Sequence, residues 1–356
     1  MVVQGVRCAG DASASVVLPT SAEGVSAVAV TTETLWAFTP DCVAHAVSLP
    51  TGGSGPALLA SAAYAGLMGG GGEKEDCFPF FAFAWEGSGF VFTQGSEVYA
   101  VSYDKAGAKV EAELKLNLTA VVPVGWGGGY ALDAEAGVVL LTGAHNAWAV
   151  SLESWKVLGS VQLDPSPTPS RPLVPLDGMA VHMGAKNLTV FGLSSLDHDV
   201  GSVSVFPSPA SSSVFPHVAG ANLTVLPAGA GWPFHLARTF EPQSIVAFSS
   251  NGTTRVELSS QPPYARPDAF VPLPESWPPM SEIACDGPSY TMALVGSVWT
   301  RFIFPPGSPP IYTRFSSLPP SSQSASHACV VLADNTAVLA SFHPGGPQTT
   351  LLFVSE

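Results

Sequence analysis

The chain has 356 residues and carries 13 Lys+Arg against 27 Asp+Glu, a formal charge of −14, although only 11% of residues are charged and 46% are hydrophobic. Gly (35) and Pro (33) punctuate it too often for long helices, while Val, Leu, Phe and Trp are too frequent for disorder. An acidic chain without a basic tract lacks the counterion-release term of nucleic-acid binding, and no apolar stretch approaches the roughly 20 residues of a membrane span, so neither nucleic acid nor membrane insertion is expected.

The first twenty residues lack a basic start followed by an apolar core, and Asp11 interrupts the only candidate, which predicts no secretory signal and favours a cytoplasmic chain. Strongly β-type runs then recur at Thr34 to Phe38, Phe90 to Thr93, Val138 to Thr142, Leu188 to Gly192, Ile245 to Phe248, Met292 to Val295 and Ala337 to Ala340. Central residues 36, 91, 140, 190, 246, 294 and 339 are spaced by 55, 49, 50, 56, 48 and 45. Each run meets a turn and a second alternating segment, such as Val43 to Leu49, Glu97 to Ser102 or Thr350 to Val354. Seven hairpins at a period near fifty, separated by Pro- and Gly-rich connections, predict an all-β, seven-bladed propeller of four-stranded antiparallel blades with almost no helix, six or eight blades being the alternatives. The expected organisation is one domain over 1–356, with blades near 10–56, 57–107, 108–163, 164–218, 219–268, 269–318 and 319–356, and residues 1–9 closing the ring. Val2 to Cys8 is the expected closing strand beside Leu351 to Val354, because an open ring exposes sheet edges.

The later units resemble degenerate Kelch-type blades, of the kind found in the galactose-oxidase central domain and quinoprotein-like propellers. Ser170-Arg-Pro172, Gly178-Met-Ala-Val-His182, Asn187 to Gly192 and Gly201 to Phe206 follow the order of that pattern, as do Leu318-Pro-Pro320, Ser324 to Leu332, Thr336 to Ala340 and Leu351 to Val354. Trp148 to Trp155 adds a trailing tryptophan. The diagnostic double glycine is missing from most units, and the copper ligands and Tyr-Cys cross-link of galactose-oxidase-type relatives do not map onto this chain. The resemblance implies the fold and not a function.

Chemistry is sparse. The eight histidines contain no HxH, HxxxH or HExxH spacing, so neither a metal nor any other cofactor is implied. No G-x-S-x-G elbow occurs, and the glycine runs at 69–72 and 127–129 do not open helices. The five cysteines are an odd number without a paired motif, which predicts buried free thiols. Four of six asparagines, Asn117, Asn187, Asn222 and Asn251, head N-x-S/T sequons where composition predicts about one; they are candidate glycosylation sites if the chain is secreted, and turns entering strands if it is not.

The surface therefore carries the functional expectation. Most tryptophans fall about one per blade, as inter-blade packing requires, but Trp126, Trp232 and Trp277 lie in Gly/Pro-rich connections where aromatics serve as interface anchors. The first expectation is a non-catalytic scaffold that binds another protein through loops on one face. The alternative is a secreted or lumenal propeller that binds carbohydrate or acts as an enzyme, with His182, His235 and His327 lining a central pocket.

Overall fold

The computed structural model describes residues 14–20, 24–50, 54–64, 79–93, 96–118, 129–142, 146–163, 173–183, 186–195, 201–207, 221–224, 227, 230–231, 233–261, 263–315, 328–342 and 349–355. A lone opening strand, β1 (Ala14–Leu18), precedes the first sheet of β2 (Ala27–Val30), β3 (Thr34–Phe38), β4 (Val43–Ser48) and β5 (Leu58–Ala63). The second sheet has β6 (Pro79–Trp85), β7 (Ser88–Thr93), β8 (Glu97–Asp104) and β9 (Lys109–Asn117). The third has β10 (Tyr130–Asp133), β11 (Val138–Thr142), β12 (Asn146–Ser151) and β13 (Val157–Gln162). The fourth has β14 (Leu173–Met183), β15 (Lys186–Ser195), β16 (Gly201–Pro207) and β17 (Ala221–Thr224). The fifth has β18 (Pro233–Arg238), β19 (Ser244–Ser249), β20 (Gly252–Leu258) and β21 (Ala265–Pro267), with the short β22 (Val271–Pro272) also on β20. The sixth has β23 (Met280–Asp286), β24 (Thr291–Val295), β25 (Val298–Ile303) and β26 (Ile311–Arg314), and the last has β27 (Cys329–Val331), β28 (Ala337–Phe342) and β29 (Thr349–Val354).

These seven antiparallel sheets stand in a ring, and no helix occurs among the described residues. The fold is a seven-bladed β-propeller. The strand that completes the last sheet is β1, paired with β29 from Ala14↔Phe353 to Leu18↔Thr349. Val2 to Cys8, expected in that place, lies outside the described residues. By compactness the chain divides into two units, one of Met1–Gly125, Ala284–Phe302 and Tyr312–Glu356, the other of Trp126–Ile283 and Ile303–Ile311.

Burial explains why the second strand of each sheet dominates the sequence pattern. All five residues of β3, β11 and β24 and all six of β19 are buried. In the first unit, Leu35 and Ala37 of β3 pack with Val338, Leu351 and Phe353 of the last sheet, whereas Trp36 and Phe38 pack with Ala82, Val91 and Val101 of the second. A strand covered on both faces reads as a continuous apolar run instead of an alternating one. The second unit repeats the device, since Val190 of β15 joins Leu236, Ala247 and Val256 of the fifth sheet, and its neighbour Phe191 joins Leu140 and Ala149 of the third. The outer strand β9, by contrast, leaves most of its residues exposed.

Two glycines allow this close stacking. A Cβ on Gly89 would lie 2.7 Å from the Trp36 ring of the first sheet, and one on Gly178 would lie 2.7 Å from the Tyr130 carbonyl of the third. Trp36 thus fills the seam between two sheets, with its Nε1 buried and unpartnered. First strands carry a second recurring device: the register slips between Pro79 and Phe81 in β6, Pro175 and Asp177 in β14, and Pro233 and His235 in β18. Proline has no N–H to give to the ladder, so each is accommodated by a bulge that turns the following side chains.

The expectation of free thiols is corrected. Cys285 of β23 and Cys329 of β27 form a disulfide across a Cα separation of 5.7 Å, and Cys42 is also disulfide-bonded. The pairing is invisible in the sequence because the two residues stand 44 apart and meet only when two consecutive first strands lie side by side.

Candidate functional site

Of the residues singled out in the sequence, His235 has the most developed surroundings. It occupies β18 just after the Pro233 bulge, and its Nδ1 lies 2.8 Å from Oδ2 of Asp177, which follows the Pro175 bulge of β14. Asp177 also accepts the Gly178 N–H on Oδ1 and the Leu236 N–H on Oδ2, each at 2.8 Å. A carboxylate that takes two backbone donors and the imidazole fixes the ring with its proton on Nδ1. The ring edge meets Phe248 at 5.8 Å, and the side chain keeps 15% exposure. Tyr130, on β10, is half-buried, and its hydroxyl is held well above the ordinary phenol range, first by desolvation and then by the Asp177 charge. Three consecutive first strands thus bring together a tyrosine that stays protonated, a carboxylate and an oriented histidine.

A second histidine system is sealed. His45 of β4 is fully buried, with Nδ1 2.8 Å from Ser61 Oγ and Nε2 3.4 Å from Thr39 Oγ1. The Thr39 hydroxyl donates to Asp41 Oδ1, and Thr20, just after β1, donates to Asp41 Oδ2 at 3.0 Å. With the Thr39 proton engaged by Asp41, its oxygen accepts from Nε2–H, which leaves Nδ1 to accept from Ser61. Burial lowers the His45 pKa to about 4, against a smaller opposing pull from Asp41. A base that weak is a poor match to proton abstraction near neutrality. The array is better suited to strapping the ring-closing segment onto the first sheet.

The third feature is apolar. In the turn from β18 to β19, Phe240 stands 52% exposed. Thr239 Oγ1 accepts the Glu241 N–H at 3.1 Å and meets Ser244 Oγ at 2.7 Å, while Ser244 N–H donates to Glu241 O at 3.0 Å. Arg255 of β20 reaches Glu241 at 3.5 Å and donates to the Pro305 carbonyl at 2.7 Å. It thereby holds the Pro305-Pro-Gly-Ser-Pro-Pro310 connection beside that turn, with Phe304 beneath it packed edge-on against Phe248 at 5.5 Å. The connection ends on Ile311, 40% exposed.

The remaining expected site residues are placed as follows. Trp277 is half-buried in the connection before β23, its N–H donated to Pro274 O at 2.8 Å. His182 pairs with Asn187 in the β14–β15 ladder, and Asn222 is the second residue of β17, beside Ser204. Asn117 and Asn251 are exposed, at the end of β9 and in the β19–β20 turn. Trp126, Trp232 and His327 lie outside the described residues. Among the described residues, no group of three or more His, Cys, Asp or Glu is placed to hold a metal ion.

Comparison with known proteins adds to the fold alone. No family pattern matches the chain, and no curated protein sequence matches it. Among solved structures, Chaetomium thermophilum Raptor superposes with a TM-score of 0.64 at 11% identity, over 96% of this chain and 29% of that one. U3-55K superposes with a TM-score of 0.61 at 10% identity, over 96% of this chain and 98% of that one. The chain therefore spans less than a third of the Raptor structure and nearly the whole of U3-55K.

Proposed function

We propose that this propeller is a non-catalytic scaffold that binds another protein through the loops at one end of its blades. The observation that carries the reading is Phe240: a half-exposed aromatic on a turn fixed by several hydrogen bonds, beside a proline-rich connection pinned by Arg255. Rigid aromatics lose little entropy on binding and are the usual hot-spot material. The tryptophans expected as anchors from the sequence, Trp126, Trp232 and Trp277, form a second candidate set for that interface. Trp277 lies at the other end of the blades, because the connections from first to second and third to fourth strands share one end of an antiparallel sheet. A Kelch-type origin of the blades is also part of this reading, carried by the motif order around Gly178 to His182 and Ser324 to Leu332; an experimental structure in which those segments superpose blade on blade would test it.

A photo-reactive phenylalanine analogue introduced at 240 or at 277, in protein returned to its source cells, tests the location. A discrete protein adduct from 240, competed by excess unlabelled protein but not by a Phe240→Asp form, is expected. Adducts from 277 alone would move the interface to the other end of the blades, and adducts from neither would remove support for the reading. The alternative of a carbohydrate-binding or enzymatic propeller keeps one motivating feature, the Asp177–His235 pair, and predicts that Asp177→Asn abolishes ligand binding while leaving Phe240-dependent capture intact.

A further inference from the structure

The cysteines and two of the asparagines point in one direction by independent routes. Cys285 and Cys329 join the first strands of consecutive sheets, and Cys42 is likewise in a disulfide. Disulfides of this structural kind persist in oxidising compartments, whereas cytosolic thiol buffers keep cysteines reduced. Separately, Asn251-Gly-Thr253 and Asn117-Leu-Thr119 present exposed asparagines at the ends of strands, in a chain where four of six asparagines head such sequons. We propose that the chain folds in an oxidising, secretory compartment and carries N-linked oligosaccharide on Asn251 and Asn117.

The chemistry balances with two co-reactants. In the transfer step, the Asn Nδ2 attacks C1 of an oligosaccharide held on a lipid diphosphate; the Nδ2–C1 bond forms, the C1–O bond to the diphosphate breaks, and Nδ2 gives up one proton as the lipid diphosphate leaves. In the oxidation, the two thiols of Cys285 and Cys329 lose two electrons and two protons to the disulfide of an oxidoreductase, which departs as a dithiol.

The fold also orders these events. Thr253, the sequon hydroxyl, is 3% exposed and paired between Phe248 and Val271. Gly252 is so enclosed that a Cβ there would lie 2.4 Å from the Val271 carbonyl. The backbone on either side is fixed, with Leu273 N–H donated to Asn251 O at 2.8 Å and Met280 N–H to Ser250 O at 2.7 Å. A transferase reads Asn and Thr together in an extended chain, so sugar reaches Asn251 before the β19–β20 hairpin closes. The finished side chain is exposed, so a glycan already attached stays in solvent. At Asn117 the amide donates to Glu97 Oε1 at 2.9 Å, a bond that a substituted amide, which keeps one N–H, still makes. Asn251 and Phe240 lie at opposite ends of the fifth sheet, roughly 20 Å apart for a strand of six residues, so a glycan at Asn251 leaves the proposed protein-binding end open.

The test uses the protein isolated from its source. Peptide-N-glycosidase treatment in 18O water should convert Asn251 and Asn117 to 18O-labelled Asp. Peptide mapping after alkylation without reduction should recover Cys285 and Cys329 as one linked peptide. Asn251→Gln should remove one glycan's worth of mass, and folded, unglycosylated protein incubated with transferase and lipid-linked sugar should stay unmodified at Asn251. An unlabelled peptide at either asparagine overturns the assignment at that site. Alkylated Cys285 and Cys329, or both asparagines bare, overturns the compartment.

Discussion

Acidification should destabilise this protein through His45, by an amount that the structure sets. The imidazole is fully buried and its pKa falls to about 4, chiefly by desolvation, against 6.5 when the chain unfolds. Because the folded value is the lower one, the unfolded chain binds the extra proton between pH 6.5 and 4, and stability falls as pH falls through that window. A difference of about 2.5 units at 1.36 kcal/mol each gives about 3 kcal/mol, nearly all of it lost between pH 7 and pH 4. Urea midpoints at pH 7, 6, 5 and 4 for the native protein and for His45→Gln measure it, since the carboxylates common to both cancel in the difference. The native curve should fall by about 3 kcal/mol more than that of the variant. An NMR titration of the His45 ring supplies a second reading that needs no variant. Parallel pH curves, or a ring that titrates near 6.5 in the folded protein, would refute the argument.

Four further outcomes follow from the packing. Gly89→Ala drives a methyl to 2.7 Å from the Trp36 ring and should lower stability by about 1–3 kcal/mol in chemical denaturation, as overpacking does. Asp177→Ala strands the Gly178 and Leu236 N–H groups and the His235 ring together, for a loss of about 2–4 kcal/mol. Replacing both Cys285 and Cys329 by alanine opens a loop of 44 residues, and the chain-entropy relation gives about 4 kcal/mol, read as a lower midpoint than that of the native, unreduced protein. Deleting β1 uncovers the edge of β29 and removes the buried Val16 and Leu18; two such side chains at about 1.5–3 kcal/mol each predict a loss of at least about 3 kcal/mol, visible as an early thermal transition.

How much was legible varied from strand to strand for a physical reason. The strands β3, β11, β19 and β24 stood out because neighbours cover both of their faces, which forces an unbroken apolar run on the sequence. First strands such as β2 (AVAV) and β10 (YALD) are four residues long and left little pattern to read. The oriented pair was half visible: His235 was singled out, and Asp177 was missed, because 59 residues separate Asp177 from its Leu236 partner. A signal did exist, since Pro175 and Pro233 each stand two residues before the side chain that their bulge turns. Phe240 was missed because nothing in the string separates a displayed aromatic from a buried one.

From the sequence alone came the period of fifty, the seven hairpins and the absence of helical patterning, all of which follow from short-range alternation and from the turn chemistry of Gly and Pro. Which residues meet was decided by the tertiary structure. Ring stacking set Cys285 beside Cys329, Asp177 beside His235 and Trp36 over Gly89, and it made β1 the partner of β29. Such contacts lie far apart along the chain, where composition and periodicity carry no information about distance.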